Sequence, residues 1–232
     1  MKDILKSEFY QIRKDNKNLF ILIISLIISS VLLLDRDIKD GAEALYQTIY
    51  NTSLVFIVVN VFISLYIGDN FSERQINRYI VSGHKRKDVV FAQSVISIFF
   101  SNLILILQPL IVTIIYTSIK GWGQMYSLSQ GITIILMSIL LNSASISVIM
   151  FLAILLKKPG TILVASTALY FLTIFLLNSQ KALSFAHILP LGQARLLIEN
   201  TTGNIEALLV AISYLLIFNI LTERYFEECD LK

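Results

Sequence analysis

The chain has 232 residues, 56% of them hydrophobic and 15% charged, and its mean hydropathy is +0.74. No ordinary water-soluble domain of this length tolerates that balance, so the composition points to an integral membrane protein. The formal charge of +3 says little about nucleic acid, because the Lys and Arg residues are bunched between apolar runs and no basic stripe with interleaved aromatics occurs.

Uncharged intervals run at Asn18–Leu34, Ala44–Gly68, Val89–Ile119, Gly121–Leu156, Pro159–Gln180 and Ala207–Thr222. A helical crossing needs about 20 apolar residues, so these predict six spans, the first and last at the short limit. Ahead of them, residues 1–17 place Leu5, Phe9 and Ile12 at helical spacing with Lys6, Arg13 and Lys17 on other sides, which predicts an amphipathic interfacial helix. The first apolar run begins late and leads into Asp35-Arg36-Asp37 rather than a small-residue cleavage site, so it reads as a retained span. Asp35, Asp37, Asp40 and Glu43 then form an acidic loop, expected to be solvated. In the second span, Asn60 must face another helix or a water-filled cavity, since an unpaired amide in a membrane is costly.

Residues 69–88, DNFSERQINRYIVSGHKRKD, form the polar segment around which the chain is organised. Phe71, Ile76, Tyr79 and Ile80 recur at roughly helical spacing between Glu73, Arg74, Asn77 and Arg78. This predicts a short surface helix over Ser72–Ser82, capped by Ser72 and stopped by Gly83. Arg74, Arg78, Lys85, Arg86 and Lys87 hold the segment on the cytoplasmic side.

The third span carries Gln93, Ser97, Asn102 and Gln108 before Pro109, with Gln108 expected to satisfy the carbonyl that proline frees. The fourth carries Ser138, Asn142 and Ser145 on one face, a small and polar stripe suited to helix packing. Lys157-Lys158-Pro159-Gly160 predicts a tight inner turn. Residues 182–194, ALSFAHILPLGQA, are too short to cross and are broken by Pro190 and Gly192, so residues 181–203 predict an outer re-entrant or interfacial hairpin, with His187 as a polar anchor. The single cysteine, Cys229, lies in the tail and supports neither an internal disulfide nor a metal cluster. With the N-terminus inside, fourteen of the nineteen Lys and Arg fall in inner segments, so both termini are expected in the cytoplasm.

Motifs of catalysis are missing: HExxH, GxSxG and the phosphate-binding GxxxxGK[ST] do not occur. All Asp and Glu fall in loops or at span edges, which weakens a gradient-driven transporter. If the chain moves a substrate, energy is expected from a partner.

Taken together, the chain resembles the membrane subunits of ABC-2 type transporters, in particular small bacterial permeases of peptide exporters and lantibiotic immunity systems. The resemblance rests on the order of elements and on Phe71-Ser72-Glu73 through Ile80-Val81-Ser82-Gly83, Arg86-Lys87, Gln93, Pro190, and Phe226 through Asp230-Leu231. It departs at Gln75-Ile76, where the family carries a small-residue pair. It implies a single all-α transmembrane domain over residues 1–232 in the bacterial cytoplasmic membrane, working as a dimer with an identical or homologous permease. It also implies no enzyme activity or cofactor in this chain, with ATP and Mg bound by separate ABC ATPase subunits. The coupling role falls on Glu73, Arg74, Arg78, Tyr79 and Ile80, with Tyr79 or Ile80 as apolar anchor. A path lined by Asn60, Gln108 and Asn142, which serve otherwise as packing residues, suits an amphipathic peptide. The alternatives are a secondary transporter or channel working without an ATPase, and a non-transporting assembly factor.

Overall fold

The computed structural model describes residues 1–34, 36–179, 182–199 and 201–229, and the regular elements among them are all α-helices. They are α1 (Lys2–Lys14), α2 (Asn16–Val31), α3 (Gly41–Ser72), α4 (Gln75–Val81), α5 (Arg86–Lys120), α6 (Leu128–Leu156), α7 (Pro159–Leu177), α8 (Ala182–Ile188), α9 (Pro190–Ile198) and α10 (Asn204–Glu228). Asp35 of the acidic loop, Gln180 at the end of the fifth predicted span, Lys181 at the head of the hairpin and the Asp230-Leu231 end of the tail signature lie outside the described residues.

Five helices, α3, α5, α6, α7 and α10, are long and apolar enough to cross a membrane, as a multi-pass membrane protein requires. Of these, α3, α5 and α10 run past the uncharged windows, because a backbone already hydrogen-bonded in register continues through flanking polar residues at little cost. Thus α10 reaches 25 residues although its apolar window is short. The first predicted span is the exception: α2 has 16 residues, about 24 Å of helix against a hydrocarbon core of roughly 30 Å.

Helix α3 is the centre of the bundle. It packs against α5, α7, α2, α6 and α9, and its apolar side chains Val55, Phe56, Val59, Phe62, Ile63 and Ile67 are buried. Close approach to α7 depends on Gly68: a Cβ there would lie 2.5 Å from Pro159 Cγ and 2.7 Å from the Pro159 backbone. Only a residue without a side chain fits this crossing.

The two ends of the bundle differ. At one end, Tyr79 Oη donates to Ser7 Oγ (3.0 Å), Lys17 pairs with Asp69 (3.3 Å), and Phe71 meets Phe226 edge-on, so α1, the starts of α2 and α5, α4 and the end of α10 are drawn together. Lys157 also lies over the Phe71 ring at this end. At the other end, Lys120 Nζ donates to Ile38 O (2.7 Å), Trp122 Nε1 to Tyr126 O (2.6 Å) and Tyr126 Oη to Ile198 O (2.6 Å). Burial pushes the Tyr126 phenol up to about 12, so this last bond keeps its donor through the neutral range.

Three expectations change. Ser72 is the last residue of α3 and does not cap α4; the chain breaks at Arg74, in the left-handed region at φ 57°, and α4 starts at Gln75. The buried stripe of α1 is Ile4, Glu8 and Ile12, while Phe9 is largely open and touches Phe99 and Phe100 with its ring. Gln108 does not satisfy the carbonyl freed by Pro109, since its Nε2 has no partner; α5 nonetheless runs unbroken through that proline. Residues 182–198 form two short helices packed on one another, and His187 Nδ1 lies 2.6 Å from Glu206 Oε1, tying them to the start of α10.

Gly68→Leu is expected to drive α3 and α7 apart and to lower stability by about 1–3 kcal/mol. Thermal unfolding of the purified protein in detergent measures this; an unchanged midpoint would contradict the close crossing.

Candidate functional site

Helix α4 is seven residues long and amphipathic. Ile76 is buried, and Tyr79 and Ile80 are half-buried against the main apolar core. Its end is a Schellman stop: Gly83 at φ 93° lets its own N–H reach Ile80 O (3.0 Å) while His84 N–H reaches Tyr79 O (3.1 Å). The glycine read from the sequence as a helix stop therefore serves as one. At the front, Gln75 Nε2 donates to Glu73 Oε2 (2.8 Å) and Arg78 Nη2 to Glu73 O (3.3 Å), which folds the Glu73-Arg74 turn back onto α4.

The outward side of this turn and helix carries Glu73, Arg74 and Arg78, all exposed, and Val81, which is 88% exposed. Tyr79 and Ile80, expected as apolar anchors for a partner, are half-buried and pack in part against the bundle. Val81 is the apolar side chain left free, and its position after two apolar residues hides it in a spacing argument. Beside α4, a cleft of about 300 Å³ is lined by Ser7, Gln11, Gln75, Arg78 and Tyr79.

The turn into α5 is clamped to the tail. Arg86 Nη1 donates to the carbonyls of Phe226 (3.3 Å), Glu227 (2.9 Å) and Cys229 (2.8 Å), at the C-terminal end of α10, where its charge also favours the helix dipole. Lys87 pairs with Glu227 at 3.3 Å. Movement of the α4–α5 turn is thus tied to α10 as well as to α3.

The intramembrane polar residues do not converge. Asn60 borders a cavity of about 250 Å³ among α3, α6, α7, α9 and α10, whose wall also includes Phe56, Ser166, Tyr170, Pro190 and Tyr214. Gln108 and Asn142 are buried away from that cavity, each with an unpaired amide nitrogen. On α6, Asn142 and Ser138 carry no hydrogen bond from their unpaired atoms, whereas Ser143 accepts from Asn102 Nδ2 at 2.9 Å and links α5 to α6. No group of His, Cys, Asp and Glu able to hold a metal ion occurs among the described residues.

No protein-family model matches the chain, and no curated protein matches it.

Replacing Arg86 by alanine leaves three carbonyls without their charged donor. A loss of about 1.5–3 kcal/mol is expected, seen as faster amide exchange over residues 225–229. Unchanged exchange there would show that the clamp is dispensable.

Proposed function

We propose that this chain is the membrane-spanning permease subunit of an ATP-driven ABC exporter, and that α4 with its preceding turn docks a separate ATPase subunit. The observation that carries the reading is the surface of α4: a short helix held between two long apolar helices, with Glu73, Arg74, Arg78 and Val81 turned outward. An exposed apolar side chain ringed by charge is the composition of a protein contact, with Val81 as the desolvated centre and the charges as its rim. A lipid-facing surface would not carry three charges, and a merely solvated turn gains nothing from an open valine.

The end of the bundle that holds α4 also holds α1, the Lys157 turn and the end of α10, and together these segments carry most of the Lys and Arg, which by the positive-inside rule supports a cytoplasmic position for this end in the proposed bacterial permease. In this arrangement α2 is the sixth crossing. Lys17 at its start pairs with Asp69 of α3, and Leu32 O after its end lies 3.5 Å from Asn51 Nδ2. Asn51 and Asp69 are separated by about 27 Å of helix, so α2 with the apolar Leu32–Leu34 spans nearly the whole hydrocarbon thickness.

ATP and Mg bind the partner, and this chain supplies the path. Docked through Glu73 and Arg78 at the rim and Val81 at the centre, the ATPase moves α4, and α4 moves α3 and α5 directly and α10 through Arg86. A second permease, identical or homologous, completes the path. The cargo class that suits a wall rich in Phe, Leu and Ile with isolated amides is an amphipathic peptide, exported as a toxin or expelled in self-protection.

The chain reconstituted with its ATPase is expected to stimulate ATP hydrolysis. Val81→Asp combined with Glu73→Arg and Arg78→Glu should abolish that stimulation while lowering thermal stability by no more than about 1 kcal/mol, the scale of the exposed hydrogen bonds that Glu73 and Arg78 make. Full stimulation by this variant, or transport by the chain alone in liposomes under an ion gradient, would overturn the reading.

A further inference from the structure

Glu8 is a carboxyl placed where charge is hardest to keep. It sits mid-way along α1 and is 0% exposed, between the buried Ile4 and Ile12. Tyr66 Oη donates to its Oε2 at 2.5 Å, and its Oε1 has no partner. The groups that face it are Tyr66 and Asn70 from α3, Tyr79 from α4 and Gln93 from α5, and all are uncharged. Lys17, at the start of α2, is paired with Asp69 instead. Asn70 and Gln93 are themselves 0% exposed, with both side-chain polar atoms of each unpaired.

An ionised carboxylate without a counter-ion in such a place carries a large desolvation cost, whereas a neutral acid adds an O–H donor to a cluster holding unused amide oxygens. Protonation therefore converts the junction from an uncompensated charge into a hydrogen-bonded knot. Burial, the largest cause, raises the Glu8 carboxyl above its ordinary range, against the opposing effects of the Tyr66 and Tyr79 hydroxyls and the Asn70 and Gln93 amide N–H groups, which favour the ionised form.

The cluster also has a route to solvent. A small cleft of about 70 Å³ lined by Asp15, Lys17, Asp69 and Glu73 reaches in to Tyr66 and Asn70. Water needs roughly 10–15 Å³ of such space. Glu8 is not part of the cleft's wall, so the site has room for a proton and not for a hydrated metal ion.

We propose that Glu8 is a proton-binding site, occupied while α1 is docked against α3, α4 and α5, and that loss of its proton releases α1 from the bundle. The inference does not rest on the transport reading; it needs only this chain in a membrane or detergent. Its sign follows from linkage. The docked state binds the proton more tightly than the free helix does, so docking is complete at low pH and is lost as pH rises through the raised value of Glu8. Between the ordinary carboxyl range of the free helix and the raised value of docked Glu8, undocking releases one proton and the docking equilibrium falls roughly tenfold per pH unit; above the raised value both states are deprotonated and the slope vanishes.

The test follows the full chain in nanodiscs from pH 5 to 10. Trypsin cleavage after Arg13 and Lys14, scaled to an unstructured reference peptide, reports release of α1. Infrared spectroscopy reports the protonated carboxyl. The wild type is expected to show a protonated carboxyl band at the acid end of the series that vanishes as cleavage rises with the one-proton slope. Glu8→Gln, which mimics the neutral acid, should lack the band and stay protected throughout, and Glu8→Ala should be cleaved at every pH. Tyr66→Phe, which keeps the packing and removes only the hydroxyl, should shift the band. The proposal is overturned by a wild type without the band anywhere in the series, by wild type and Glu8→Gln responding identically to pH, or by protection that follows sodium concentration at fixed pH. Should Glu8→Gln fail to fold, the band in the wild type and its shift in Tyr66→Phe decide alone.

Discussion

Inside a bilayer, lipid tails are as apolar as the side chains that meet them, so helices gain little from hiding hydrophobic surface and must be held by close packing and polar contacts. Helix α3 answers that constraint. Gly68 lets it touch the start of α7, its side chains from Val55 to Ile67 fill the core shared with α5 and α6, and its far end meets Gly121 and Trp122 through backbone hydrogen bonds from Gly41 and Ala42. Peripheral helices are different: α7 and α10 show most of their length outward. A bundle with one buried centre and loosely covered flanks leaves those flanks available for lipid or a second subunit, and makes α3 the element that most of the other helices share.

That end is where the chain concentrates its polar chemistry. Within a few turns it gathers the α4 surface, the Arg86 clamp on the tail, the Lys17–Asp69 pair and the buried Glu8 knot. Each ties a different helix to the same junction. A partner pressing on Val81 and Arg78 would meet a rigid lever rather than a loose loop, because Ile76, Tyr79 and the Schellman stop at Gly83 fix α4 to the bundle. The protonation state of Glu8 would then set how firmly α1 braces that lever.

Much of this was legible in the residues. Hydropathy located the five long helices, because their apolar runs are free of charge and, in all but α10, long, and Gly83 and Pro190 marked the stop and the hairpin for reasons of backbone geometry alone. Boundaries were less legible: Ser72 has the chemistry of a cap, yet α3 simply continues through it, and the break falls at Arg74, where nothing local advertises a left-handed residue. Spacing also chose the wrong side of α1. Leu5, Phe9 and Ile12 form an apolar face, but Ile4, Glu8 and Ile12 lie four apart as well, and a glutamate on that line reads as exposed unless Tyr66, Asn70 and Gln93 are known to meet it. Likewise Val81 stood among apolar neighbours, and only the packing of Tyr79 and Ile80 shows that it is the one left open. Contacts between distant segments have no signature in a single sequence.

The central claim is that α4 is gripped by a nucleotide-hydrolysing partner. A photo-reactive amino acid placed at position 81 and irradiated in intact native cells tests it directly, with the cross-linked product identified by mass spectrometry. The account predicts a cross-link to a cytoplasmic ATPase, lost when Arg78 is reversed to glutamate. Cross-links to lipid alone, or to proteins outside the membrane's inner face, would contradict it.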